Sequence, residues 1–219
     1  MSAGITTRTL FLLFLLPMLL RGEIVDRLVA VVGNRILTWS DVASEARYQA
    51  FLNGEEPPNI RLPQGKQLLQ PVLERLIDQL LLKEARATFP FSPPQNGQTE
   101  RRLAEIRDLY SNGDAFQKML AKCGLTEADL IARLSEEEQV MAFIEYRLRP
   151  QIQISPAEIA AYYNNTLQPE LRRKGQTEMP PLAEVQEAIA QILVQQEMDH
   201  RLEQWLQELR GRTEIRTLL

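Results

Sequence analysis

The sequence predicts a mainly α protein, a multi-helix core carrying a small antiparallel sheet made by an N-terminal hairpin and a C-terminal strand. Three observations carry that prediction. Apolar residues recur at helical spacing over most of the chain after Ser40. Before that point, Val29, Val31, Val32, Ile36 and Leu37 flank Gly33-Asn34, two residues that tolerate the positive φ of tight hairpin turns. The chain then closes on "TEIRTLL", Thr213 to Leu219, which alternates roughly like a strand. A two-stranded hairpin alone is barely stable in water, so the closing strand is expected to add to the hairpin, offering Ile215 and Leu218 to one face.

Ahead of the hairpin lies "LFLLFLLPMLL", Leu10 to Leu20, with Arg8 as the only charge before it. Such a run in helix reaches about 16 Å, roughly half of a hydrocarbon core of ~30 Å. That length suits the apolar stretch of a secretory signal peptide over residues 1–22, although no A-x-A pattern precedes Arg21-Gly22. An uncleaved anchor and a buried helix are the other readings. The mature chain is expected to begin near Gly22 or Glu23. Residues 23–219 are then read as one closed unit, with an N-terminal part over 23–165, a short linker over 166–181 and a C-terminal helix and strand over 182–219.

The helices follow in order. Ser40 reads as the cap of a helix ending near Asn53, with Gly54 as its stop. Prolines make Glu55 to Pro63 a loop. From about Gln64 to Ala87, Leu69, Leu73, Leu76 and Leu80 form a stripe that Leu68, Val72, Ile77 and Leu81 widen. So broad a stripe marks a helix buried on several sides, with Pro71 either starting it or kinking it. Two shorter helices are predicted over Thr99 to Tyr110 and Asp114 to Lys122. "LTEADL" and "ISPAEI" then give two clear starts, with Thr126 and Ser155 as caps, Asp129 and Glu158 three residues on, and Pro156 at the first helical position. The first opens a helix to about Arg149 with Leu134, Met141, Ile144 and Leu148 on one face. The second is short and ends in "AAYYNN". A polar loop, Thr166 to Met179, leads to the last long helix, Leu182 to Leu209, stopped by Gly211.

Chemistry is sparse. The 25 basic and 29 acidic side chains give a net charge of −4, which leaves no basic excess to neutralise phosphates and gives no reason to expect a nucleic-acid partner. One cysteine, Cys123, cannot form an internal disulfide, and its apolar neighbours make it a small buried hydrophobe. His200, the one histidine, stands in a charged stretch of helix with no convergent partner. Glu136 to Glu138 in "SEEEQ" fan out around a helix and read as a solvated face. "LRRKG", Leu171 to Gly175, reads as a polar loop. No catalytic residue, metal ligand or cofactor site is expected. Phe116, Met119, Met141 and Tyr48 are singled out as flexible or aromatic side chains suited to holding varied apolar partners, against the alternative that each is core.

Several stretches, in this order, resemble the SurA-like family of periplasmic chaperones. "EIVDRLVAVVGNRILTWSDV" is similar to that family's start, through Asp26, Ala30, Val31, Val32, Gly33, Asn34, Ser40 and Asp41. "QPVLERLIDQLLLKEA", "ISPAEIAAYYNN" and "LEQWLQELRGRTEI" resemble its later segments. The resemblance implies an exported holdase that binds unfolded outer-membrane or other exported protein segments, with a homo-oligomer possible. Family members carry parvulin-type prolyl isomerase domains after the "YYNN" position. Here only Thr166 to Pro181 occupies that slot, too few residues for such a domain, so isomerase activity is not carried over. A dedicated assembly partner of one envelope protein and a degenerate prolyl isomerase are the rival readings.

Overall fold

The computed structural model describes residues 26–59, 66–93, 97–176 and 178–218. The Leu10–Leu20 run, and with it the expected signal peptide, lies outside the described residues. Strands β1 (Leu28–Val32) and β2 (Arg35–Thr38) pair antiparallel around Gly33, whose φ of 57° needs the absent Cβ. Strand β3 (Ile215–Thr217) pairs antiparallel with the other edge of β1, giving the order β2-β1-β3. The chain end also grips the turn: the Gly33 N–H donates to the Glu214 carbonyl at 2.9 Å, and the Leu218 N–H to the Val29 carbonyl at 2.8 Å. The expected third strand is present, but its two apolar residues part company. Ile215 packs on the core while Leu218 is 49% exposed, because side chains an odd number of residues apart face opposite sides of a strand.

The first helix, α1 (Trp39–Leu52), starts earlier than the sequence suggested. Its cap is Thr38, whose hydroxyl accepts from the Asp41 N–H while the Asp41 carboxylate accepts from the Thr38 N–H. That reciprocal pair outcompetes Ser40. The Ser40 N–H turns instead to the Asp26 carboxylate, which Thr38 and then Ser40 hold below the usual carboxylate range. Helix α2 (Lys66–Ala87) contains Pro71 in its second turn, so the proline does not start it. The proline lies on the exposed side, where its missing N–H deprives only the Gln67 carbonyl.

Helices α3 (Gln98–Asp108), α4 (Gly113–Cys123) and α5 (Glu127–Leu148) follow the predicted order. Asn112 caps α4, Gly124 ends it at φ 70°, and Thr126 with Asp129 opens α5. Ser155 and Glu158 open α6 (Pro156–Tyr162) as expected. The loop predicted over Thr166 to Met179 begins only after Arg173. The chain continues through a π turn, Tyr163–Leu167, into α7 (Gln168–Arg173), so "LRR" closes a helix rather than sitting in a loop. Pro169 explains the widening. It has no N–H to give, and just ahead of it the Gln168 N–H reaches back to the Tyr163 carbonyl. The Tyr163 hydroxyl then donates to the Pro180 carbonyl at 2.7 Å and fastens this segment to the entry of α8 (Leu182–Arg212). Helix α8 passes the expected stop at Leu209. Arg210 is clamped to Glu74 and Asp78 of α2, and Gly211 sits in open space within the last turn.

Three apolar clusters hold the body together. The first joins the sheet, the start of α1 and most of α2 through Val29, Val32, Val42, Leu73 and Ile77. The second joins the end of α1 to α3, α4 and the start of α5 through Phe51, Ile106, Phe116, Leu120 and Leu130. The third joins the end of α2, the second half of α5 and α8 through Leu82, Phe143, Ile144, Met198 and Trp205. Each of α1, α2 and α5 therefore serves two clusters. Helix α2 touches α1, α5 and α8 and is the central helix its broad stripe predicted.

Candidate functional site

Three clusters linked in pairs by three helices leave a middle that none of them fills. That middle is an open cleft of about 730 Å³ between α1, α2 and α5, lined also by Leu37 of β2 and Leu202 of α8. Its aliphatic walls come from Leu76 and Leu80 of α2 and from Val140, Met141 and Ile144 of α5. The register of α5 explains why it faces an opening. Leu130, Leu134, Glu137, Met141, Ile144 and Leu148 alternate in steps of four and three, the seam by which a helix packs on neighbours. The two ends of that seam are buried in the second and third clusters. Its middle is not: Met141 is 57% exposed, and Glu137 stands where an apolar side chain would pack.

The polar groups of the cleft form a network around Tyr48. Glu45 is the one buried charged residue among those described. Its carboxylate accepts from Gln49 Nε2 at 2.8 Å and from the Arg133 guanidinium at 3.4 Å. Arg133 also donates to Ser44 Oγ at 3.0 Å and lies over the Tyr48 ring, 4.9 Å from its centroid. Lys83 Nζ meets Glu136 Oε2 at 2.8 Å. Tyr48 itself is 1% exposed, and among the described residues its hydroxyl meets no partner in strict hydrogen-bond geometry. The Glu137 carboxylate is its nearest acceptor: the hydroxyl lies outside strict hydrogen-bond geometry, yet its pull toward Glu137 lowers the carboxyl pKa and raises its own. Burial, then the Glu137 and Glu45 charges, push the Tyr48 hydroxyl far above the ordinary tyrosine range against the pull of Arg133. Burial is also the main force on Glu137 and raises its pKa. Glu45 adds to the rise, while Tyr48, Arg133 and Lys83 oppose it.

A second hollow of about 420 Å³ adjoins the cleft between α3 and α5, and Glu137 and Met141 line both. On that side Thr99 Oγ1 donates to Glu138 Oε2 at 2.6 Å, and Glu138 Oε1 is buried without a partner. The three glutamates of "SEEEQ" are therefore not a solvated face. They fan out as predicted, but α5 is flanked on three sides, so Glu136 meets α2, Glu137 meets α1 and Glu138 meets α3.

The four apolar candidates divide. Tyr48 and Met141 line the cleft, although Tyr48 is also a buried member of the second cluster. Phe116 is 2% exposed inside the second cluster, and Met119 is half-buried against the same cluster; neither reaches the cleft. Cys123 is buried, and burial raises its thiol pKa, which suppresses the reactive thiolate. His200 is exposed, with Gln204 Nε2 2.8 Å from its Nε2. Glu45, Arg133 and Glu137 are cleft residues that the sequence reading passed over. Glu137 left a signal there, a charge on a seam position between Leu134 and Met141. Among the described residues, no cluster of three or more His, Cys, Asp or Glu side chains suits a metal ion, and no helix is long and apolar enough to cross a membrane. No family model and no curated protein matches the chain.

Proposed function

We propose that the protein is a holdase-type chaperone that binds unfolded outer-membrane or other exported proteins in the periplasm, without catalysis, through the cleft between α1, α2 and α5. The observation that carries this reading is the unfilled seam of α5. Seam positions pack on something, and here Met141 and Glu137 face a cleft lined with aliphatic side chains. An extended or helical segment of another chain can lay apolar side chains against Leu76, Leu80, Val140 and Met141, replacing water there. Leucine and methionine walls adapt to different side chains, which suits a binder of varied sequences. The resemblance of the hairpin, α2 and the end of α8 to SurA-like chaperones supports the same reading and supplies the compartment.

Light scattering of a denatured outer-membrane β-barrel protein, diluted with and without this protein, tests the proposal. The protein should suppress aggregation, and Met141→Asp should weaken that suppression. Absence of suppression at several-fold excess would favour a dedicated partner of one envelope protein. A proline-peptide assay run in parallel should show only the uncatalysed rate, on the order of tens to hundreds of seconds. Acceleration there would restore the enzyme reading.

A further inference from the structure

This inference rests on the reading of the cleft as a peptide-binding surface and names what that surface selects. We infer that the cleft prefers segments carrying a lysine or arginine among aliphatic residues, with the cation seated between the Glu137 carboxylate and the Tyr48 hydroxyl.

Seven charged side chains face the cleft. From α1 come Asp41 and Glu45, from α2 Arg75 and Lys83, and from α5 Arg133, Glu136 and Glu137; Leu37 of β2 and Leu202 of α8 bring none, while Arg101, Arg102 and Glu105 of α3 and Glu138 share the second hollow with Glu137, where Arg102 holds Glu105. Most are already engaged. Asp41 closes the capping box with Thr38. Glu45 holds Arg133, and Glu136 holds Lys83. Arg75 is exposed to water. Glu137 is left half-buried and outside every ion pair of the cleft.

Tyr48 is the second, independent sign. A buried hydroxyl without a partner is an expensive arrangement that a bound group can relieve. Arg133 already covers the face of the Tyr48 ring, so the oxygen is the end left to serve. An ammonium or guanidinium group has donors for both a carboxylate and a hydroxyl oxygen. Its stem is apolar, and Val140, Met141 and Ile144 beside Glu137 are suited to cover it. A carboxylate of the client would meet Glu45 and Glu137 instead and be rejected.

Fluorescence anisotropy with two labelled peptides tests this. Both share one short leucine-serine sequence, and they differ only in a central lysine or glutamine. The lysine peptide should bind about tenfold more tightly at neutral pH and low salt, as expected of a charge-assisted hydrogen bond. Its advantage should shrink as acid protonates Glu137. In Glu137→Gln the lysine peptide should lose its advantage over the glutamine peptide, with circular dichroism and the melting temperature reporting that the variant is folded. Equal affinity of the wild-type protein for both peptides would overturn the preference and leave the cleft reading intact. Binding of neither would overturn both. A lysine preference that survives in Glu137→Gln would overturn the seat assigned to the cation.

Discussion

Replacing Glu137 should make the protein more stable, and the structure allows the size of the effect to be worked out. The residue is half-buried on a seam position of α5. Burial and the Glu45 charge together outweigh the attraction of Arg133 and Lys83, so the ionised form is disfavoured in the fold. A glutamate whose folded pKa is raised supports the fold most when protonated. Wild-type stability therefore falls as pH rises from the unfolded glutamate value, near 4.5, through the raised folded value, and the loss is complete above it. Glu137→Gln removes this dependence. Glu137→Leu adds apolar burial as well. A fully buried leucine is worth about 1.5–3 kcal/mol, so a half-buried one contributes about 1 kcal/mol. For a chain of this size that corresponds to a rise in melting temperature of about 2–4 °C. Calorimetry of the wild type and both variants at neutral pH and at pH 4 is the assay. Both variants should melt higher at neutral pH, and the advantage of Glu137→Gln should vanish in acid. A variant that melts lower at neutral pH, or a gap that does not narrow on acidification, would show that burial of the Glu137 charge does not cost the fold stability.

Arg210 bonds Asp78 at 2.8 Å and Glu74 at 2.9 Å from a half-buried position. Arg210→Ala strands two like charges one turn apart on α2 and should lower stability in denaturant titrations by about 1–3 kcal/mol. Phe116→Ala should be more damaging, at about 3–5 kcal/mol, because its ring packs edge-on to Phe51 and Tyr110 with Arg107 over its face; peptide affinity per folded molecule should not change. Met141→Asp should do the reverse, weakening peptide binding while leaving the melting temperature within a few degrees, since Met141 is mostly exposed. In acid, the boxes that open α5 and α6 should fail. Thr126 and Ser155 hold Asp129 and Glu158 below their usual range, so their support is present above the unfolded carboxylate values and disappears as pH falls through the lowered ones. A Thr126→Ala, Ser155→Ala double variant should show a shallower loss of helical circular dichroism between pH 5 and about pH 2.

The parts of the fold that local chemistry dictates were legible in the sequence. Thr126 with Asp129, and Ser155 with Glu158, announce their helices because each cap is completed within four residues. The strand at Ile215 was legible for a different reason: a lone hairpin needs a third strand. What escaped depended on neighbours distant in sequence. Ser40 looked like a cap until Asp26 claimed its N–H. Gly211 looked like a stop until Glu74 and Asp78 held Arg210 in the helix. Thr166 to Arg173 looked like a loop, yet a π turn carried the helix across Pro169. For the site, Tyr48 and Met141 were legible by side-chain type, and Phe116 by the same criterion went to the core. Side-chain chemistry alone does not say whether an apolar residue meets a cluster or the gap between clusters. Glu45 and Arg133 meet only through the packing of α1 on α5, a contact no local pattern encodes.

The sheet has a consequence for the order of events in folding. Its central strand is the first element of the described chain, and one of that strand's two neighbours is the last. Pairing Val31 with Arg216 closes a loop that spans nearly everything else, the slowest kind of contact to make by diffusion. If the chain is threaded through a membrane from its amino end, the hairpin emerges first and must wait until the last residues arrive. During that interval one side of β1 presents unpaired N–H and C=O groups, open to any extended polypeptide nearby. A protein proposed to shield other unfolded chains would thus pass through a stage in which it needs shielding itself. Its yield after refolding from denaturant should fall as its own concentration rises, and β3 should be the last segment to gain protection in pulsed hydrogen exchange.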